Sequence, residues 1–121
     1  MSPRITYTTD GNGGVQAHAG KRGFNEGHGW FVGELKYWPP SVGEPTNVFE
    51  ISDISVHEDY WRRGIGSELL RRAEQEIREK GGTLVVVTPG DDAAEQFWMA
   101  NGYSRDLDEP PNNYAMSKAL K

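Results

Sequence analysis

Along the first third of the chain, apolar and polar residues alternate instead of recurring every three or four positions. Arg4-Ile5-Thr6-Tyr7-Thr8 is β-branched and aromatic, and Asp10-Gly11-Asn12-Gly13-Gly14 behind it is a turn cluster. Val15 to Ala19 continues as a second short strand, and Lys21 to Gly29, broken by Gly23, Gly27 and Gly29, reads as a loop or a loose hairpin. Trp30 to Tyr37 predicts a third strand, in which Gly33 marks a bulge. From Trp38 to Pro45, the prolines at 39, 40 and 45 exclude helix and hold the backbone extended.

The pattern then changes twice. Val48 to Val56 is a fourth strand, and period two places Glu50, Ser52, Ile54 and Val56 on one face with Asp53 on the other. Ser67 to Lys80 has Leu69, Leu70, Ala73 and Ile77 on one helical stripe, with Arg, Glu and Gln opposite and Gly81-Gly82 as a C-cap. Thr83 to Thr88 is apolar without alternation, as expected of a strand buried on both faces. Asp91 or Asp92 caps a second helix that Asn101-Gly102 stops. Tyr103 to Leu107 and Asn113 to Leu120 are expected to pair as the last strands. The sum is an α/β domain with a mixed sheet of about six or seven strands. We expect one domain over residues 1–121, with a strand meander over 1–47 and the mixed core over 48–121.

Composition narrows the class. A length of 121 residues suits a single core, and the absence of cysteine excludes a disulfide framework, a thiolate metal site and a cysteine nucleophile. No apolar stretch follows Met1-Ser2-Pro3-Arg4 and none is long enough to span a bilayer, so neither a signal peptide nor a membrane partner is expected, and the location is expected to be cytoplasmic. The net charge is −5; Lys and Arg balance Asp and Glu four to four over residues 1–47, whereas 48–121 carry nine against fourteen. Such a chain is poorly suited to a nucleic-acid backbone and suits a cation such as an amine. His18, His28 and His57 lack metal-ligand spacing, no metal is expected, and no GxSxG elbow supports a serine hydrolase.

The candidate chemistry sits between the fourth strand and the first helix, in Tyr60-Trp61-Arg62-Arg63-Gly64-Ile65-Gly66-Ser67. Two glycines at a helix mouth allow close backbone approach, the helix start offers unpaired N–H groups, and two arginines add fixed charge. This is an anion-binding turn. A P-loop would need Lys then Ser or Thr after its last glycine, and Ser67-Glu68 stands there. A dinucleotide fingerprint would need a small residue where Leu69 stands.

What remains resembles the pyrophosphate loop of the GCN5-related N-acetyltransferases (the GNAT family), Gln/Arg-x-x-Gly-x-Gly/Ala. The resemblance runs from Val48 to about Leu120. It includes Thr83 to Thr88 as the family's next strand and Ala93-Ala94-Glu95-Gln96-Phe97-Trp98-Met99-Ala100-Asn101-Gly102-Tyr103 as its helix and turn. It implies the acyl-CoA N-acyltransferase fold, acetyl-CoA as co-substrate, and transfer of an acetyl group to a primary amine. Trp61, Arg62, Arg63, Gly64, Ile65, Gly66 and Ser67 would hold the pyrophosphate. A β-bulge at Ile54, Ser55 and Val56 would present a backbone N–H to the thioester oxygen.

Counting back from the loop, Glu50 falls where the family's protein-lysine acetyltransferases place their general base; Asp53 is the rival. A carboxylate on a central strand is costly unless paired or functional. Two positions depart from the family: Trp61 replaces Gln or Arg, and Trp98 replaces the tyrosine that commonly serves as general acid. Trp98 then packs on the pantetheine arm or simply fills the core, and Tyr114 is the candidate acid. Tyr103 falls at an aromatic core position. Asp106, Asp108 and Glu109 fall in the loop that in the family overhangs the acceptor, and the run reads first as a solvated loop.

Only Asp10 to Gly14 separates the first two strands, where the family carries one or two helices that wall the acceptor site. The implied fold is a trimmed one with an open acceptor side, favouring a protein lysine or N-terminus over a small amine, although a homodimer partner could rebuild the wall. Two functions stay open: an N-acetyltransferase, and a non-catalytic acyl-CoA-binding or interaction module.

Overall fold

The computed structural model describes residues 4–11, 13–20, 30–40, 42–43, 46–105 and 116–120. Among them, six strands lie side by side in chain order: β1 Arg4–Thr9, β2 Gly14–Gly20, β3 Trp30–Trp38, β4 Val48–Val56, β5 Leu84–Val87 and β6 Met116–Ala119. All neighbours are antiparallel except β4 and β5, which run parallel because helix α1 (Ile65–Glu79) crosses between them. A second helix, α2 (Asp92–Ala100), follows β5. This is the mixed sheet that the sequence pattern predicts.

The turn cluster joins β1 to β2 directly. The Gly14 N–H donates to Asp10 Oδ1 at 3.0 Å, the Asp10 N–H donates to the Gly14 carbonyl at 3.2 Å, and no helix intervenes. At the other end of the chain, Ser104 makes a single bridge to Ser117; the rest of the expected closing hairpin, over 106–115, lies outside the described residues.

One core fills the helical side of the sheet. Leu69, Leu70, Ala73 and Ile77 of α1 meet Ala17 and Val15 of β2, Leu35 of β3 and Ile51 of β4, all at most 1% exposed. Val86 of β5 points away from that core and is also buried, the two-sided burial expected of this strand. Helix α1 begins at Ile65, two residues ahead of the expected start. It ends in a Schellman motif, with the Gly82 N–H on the Ile77 carbonyl at 2.8 Å, the Gly81 N–H on the Arg78 carbonyl at 3.0 Å, and Gly81 at φ +90°. No helix among the described residues is long and apolar enough to cross a membrane.

Two irregularities shape the sheet. Ala17 pairs with Gly33 but His18 with Phe31, so Val32 is the extra residue and the bulge sits beside Gly33, where the sequence puts it. A Cβ on Gly33 would stand 2.7 Å from the Ser55 carbonyl oxygen, so this glycine lets β4 approach. Gly33→Ala should lower stability by about 1–3 kcal/mol in urea denaturation with an unchanged slope. A loss below half a kilocalorie would show that β3 and β4 separate freely here.

The second irregularity corrects the sequence analysis. Lys36 pairs with Asp53 and Tyr37 with Ile51, which leaves Ser52 as the extra residue of β4. The bulge therefore lies before Ile54, Ser55 and Val56, where it was expected. It also inverts the alternation: Phe49, Ile51, Ile54 and Val56 face the helices, while Glu50, Asp53 and Ser55 face the other way. Strict period two had put Glu50 with Ile54 and Val56; one inserted residue is enough to exchange the faces beyond it.

Candidate functional site

Strand β5 pairs with β4 only from Val48 to Ile51, opposite Leu84 to Val87. Past Ile51 the two strands part, and the outer half of β4 has β3 on one side and no strand on the other. The His57 N–H donates to the Val32 carbonyl at 2.6 Å, which fixes the phase of the antiparallel ladder. By alternation, the backbone groups of Asp53 and Ser55 turn to β3, and those of Ile54 and Val56 turn to the open side.

That open edge forms one wall of a groove of about 550 Å³. The opposite wall is α2, through Ala93, Ala94, Phe97 and Trp98, and the floor is the loop and the start of α1. An Asp91 carboxylate caps α2, accepting from the Ala94 N–H at 2.8 Å. Ala93, Ala94 and Phe97 lie on one face of α2 because they are three and four residues apart. Sequence analysis had not assigned these three, nor Tyr60, to the groove; two alanines in a helical run carry no mark of a wall.

The loop is held by local contacts. A 3-10 turn, Glu58–Tyr60, opens it, with His57 Nδ1 accepting from the Asp59 N–H at 3.2 Å. The Arg63 guanidinium lies 5.1 Å above the Tyr60 ring. Arg62 and Gly64 both adopt the left-handed region, at φ +63° and +78°, a combination that lets successive N–H groups converge on an anion. For Arg62 this conformation is strained, and strain of this kind gathers at binding sites. The Trp61 indole Nε1–H donates to the Val56 carbonyl at 2.6 Å and so ties the loop to β4.

Helix α1 starts with Gly64 as its N-cap and with no side chain capping it. The first-turn N–H groups of Ile65, Gly66 and Ser67 are thus left for another acceptor, at the positive end of the dipole. Glu68, in the same turn, would repel an anion, but Arg71 and Arg72 grip it at 2.6 and 2.7 Å and hold its carboxyl down to about 2. Hydrogen bonds from Arg71 are the largest cause. A Cβ on Gly66 would stand 3.2 Å from the Phe97 ring, so this second glycine also lets α2 close on α1.

The structure thus brings Ile54, Ser55, Val56, Trp61, Arg62, Gly64, Ile65, Gly66, Ser67 and Trp98 to one groove, with exposed Arg63 beside it. Trp98 is only 3% exposed and packs edge-on against both Phe97 and Tyr103, at 5.3 and 5.0 Å. Its ring forms core and wall together. Tyr103 is buried, and its hydroxyl is spent on Glu74.

Glu50 stands apart from the groove. It lies on the opposite face of β4, half-buried, paired with Trp38 on β3 and Val86 on β5, at the point where the strands begin to part. Among the described residues nothing pairs with its carboxylate. Asp53 is exposed on the same face, opposite Lys36. That face is exposed at Thr6, Thr8, Gln16, Lys36, Trp38 and Ser55 as well. Tyr114, Asp106, Asp108 and Glu109 lie outside the described residues.

Comparison with known proteins agrees with this geometry. The model of the acetyltransferase (GNAT) family matches residues 15–103. The tRNA(Met) cytidine acetyltransferase TmcA of Aeropyrum pernix is 41% identical over 69 residues, which are 57% of this chain. The match spans about a tenth of that relative's length. Among solved structures, Ard1 from Thermoplasma volcanium superposes with a TM-score of 0.68 at 20% identity, over 90% of this chain and 71% of that one. Tetrahymena GCN5 gives 0.67 at 12% identity, over 89% and 69%. These two share the fold.

Proposed function

The chain belongs to the acetyltransferase (GNAT) family, and we propose that it transfers an acetyl group from acetyl-CoA to a primary amine, a protein lysine or N-terminus in preference to a small molecule. The observation that carries the reading is the unpaired half of β4, which lies along a groove leading to an uncapped helix N-terminus. A pyrophosphate fits the loop's convergent N–H groups with Arg62 and Arg63 beside it. A pantetheine arm, with amides of its own, fits an open strand edge. Acetyl-CoA supplies the acetyl group as a thioester, so the protein needs no nucleophile of its own.

The residues have two tasks. An alkyl amine titrates near 10.4, so freeing its lone pair at neutral pH costs about 4–5 kcal/mol. Glu50, on the face away from the groove and beside the split, accepts that proton through a water. The amine nitrogen then bonds to the carbonyl carbon while the carbon–sulfur bond breaks. A backbone N–H of the open β4 edge stabilises the oxygen as its charge grows. The departing thiolate, with an ordinary pKa near 8.5, takes its proton from solvent.

The exposed face around Glu50 favours a protein acceptor, since no helix among the described residues encloses it. The relative's name places a cytidine amine in its own site, and a nucleobase amine is the rival acceptor. A net charge of −5 speaks against a nucleic-acid backbone here. A cysteine-free chain suits the cytoplasm, where we place the reaction.

The test is CoA release from acetyl-CoA with peptides bearing a free lysine or N-terminus, small diamines, and cytidine in RNA as alternative acceptors. Release with the peptides supports the reading, and release with RNA alone moves the acceptor to a nucleobase. Binding without release to any of them leaves the non-catalytic module. Gly64→Val, which forces a β-branched residue to φ +78°, should weaken acetyl-CoA in calorimetric titration by roughly tenfold or more. Unchanged affinity would put the pyrophosphate elsewhere.

A further inference from the structure

Trp61 is 62% exposed and lines the groove beside the open edge of β4. An indole has one donor, Nε1–H, and no acceptor. Here that donor is used within the protein, on the Val56 carbonyl at 2.6 Å. This carbonyl is one of four backbone groups that the outer half of β4 turns to the groove. The others are the Val56 N–H and the Ile54 N–H and carbonyl. The edge offered to a ligand is therefore asymmetric: complete at Ile54, and a donor only at Val56.

We propose that Trp61 is a positioning residue that sets the register of the pantetheine arm on β4, by closing the Val56 carbonyl to it. The inference rests on the acetyl-CoA reading. An arm that adds to the edge like a strand can do so in registers separated by the two-residue repeat, about 6.6 Å. In the inner register its amides use the Ile54 carbonyl and the Val56 N–H, and the Ile54 N–H is left to the thioester oxygen. In the outer register an arm N–H needs the Val56 carbonyl, which the indole already holds. The outer register is thereby left with an unpaired N–H, and the inner one is selected. The inner register brings the thioester to the point where β4 leaves β5, next to Glu50. A slip of about 6.6 Å would leave it short of the base.

Trp61→Phe keeps the ring and removes the donor. The probe is acetyl-CoA, read by amide hydrogen exchange at Ile54. In the unsubstituted protein, acetyl-CoA should slow this exchange by roughly tenfold or more. In Trp61→Phe that protection should disappear while acetyl-CoA affinity stays within about threefold, because the slipped arm still pairs at Val56. Adenosine 3′,5′-bisphosphate, which has no arm, should bind both proteins alike. Persistence of Ile54 protection in the variant overturns the proposal. So does an equal loss of affinity for acetyl-CoA and for the bisphosphate, which would make Trp61 a strut for the loop. The exchange needs no acceptor, so a protein that binds acetyl-CoA but acetylates nothing would sink the proposed reaction and leave this result readable.

Discussion

Lys118→Met is expected to destabilise the protein by about 3 kcal/mol, because it strands a carboxylate in the core. Glu74 is only 4% exposed, the one charged residue of the described core. Its two oxygens accept from the Tyr103 hydroxyl at 2.8 Å and from Lys118 Nζ at 3.0 Å. The same Nζ donates to the Asn101 carbonyl at 3.0 Å and lies 5.6 Å from the Tyr103 ring. Burial first, and the Glu74 charge second, push the Tyr103 hydroxyl far above its usual range, so it remains a donor.

With methionine at 118 the carboxylate keeps the Tyr103 hydroxyl as a neutral donor and loses the ammonium bonded to it. Breaking a buried pair in this way costs about 3–5 kcal/mol, and the lower end applies because the Lys118 side chain keeps 26% of its exposure. Urea denaturation measures the loss. The double variant Glu74→Leu with Lys118→Met should recover most of it, since an apolar pair removes the stranded charge. A loss below about 1 kcal/mol for Lys118→Met would mean that water already reaches Glu74. The network has a second consequence. Strands β4 and β5 share only four paired positions, so this contact between α1, β6 and the end of α2 helps hold the two halves of the split sheet together.

Glu50→Gln is expected to lower kcat by roughly a hundredfold or more, with acetyl-CoA affinity within about twofold of the unsubstituted protein. Glutamine keeps the size and hydrogen-bonding outline of the side chain but cannot take a proton. The groove and the loop lie on the other face of β4, so nothing that holds the donor is touched. Steady-state CoA release with a saturating amine gives kcat, and calorimetry gives the affinity. Asp53→Asn is the control, because Asp53 shares that face but stands opposite Lys36. Activity retained in Glu50→Gln and lost in Asp53→Asn would transfer the role of base.

Much of this was legible in the chain itself. The alternation of β1 to β3, the stripe of α1 and the unbroken apolar run of β5 are local patterns, and each element lies within a few residues of where its pattern put it. The glycine loop was equally legible, because a left-handed turn at a helix start needs particular residues at particular offsets. The reversal at Ser52 was not. A bulge is a disagreement between two strands, and nothing in Ile51-Ser52-Asp53 records how Tyr37 and Lys36 will pair. Nor was the burial of Glu74, which lies among the polar positions of its helix and is enclosed only when Tyr103 and Lys118 arrive from distant segments.

The sequence by itself determined the elements, their order and the glycine turn at the mouth of α1, because these follow from backbone dihedrals, periodicity and caps within a few residues. The tertiary structure alone decided which face Glu50 occupies, how far β5 follows β4, and what the Trp61 indole binds. Each of these depends on the register between segments far apart in the chain, and register is set by the packing of the whole sheet against its helices.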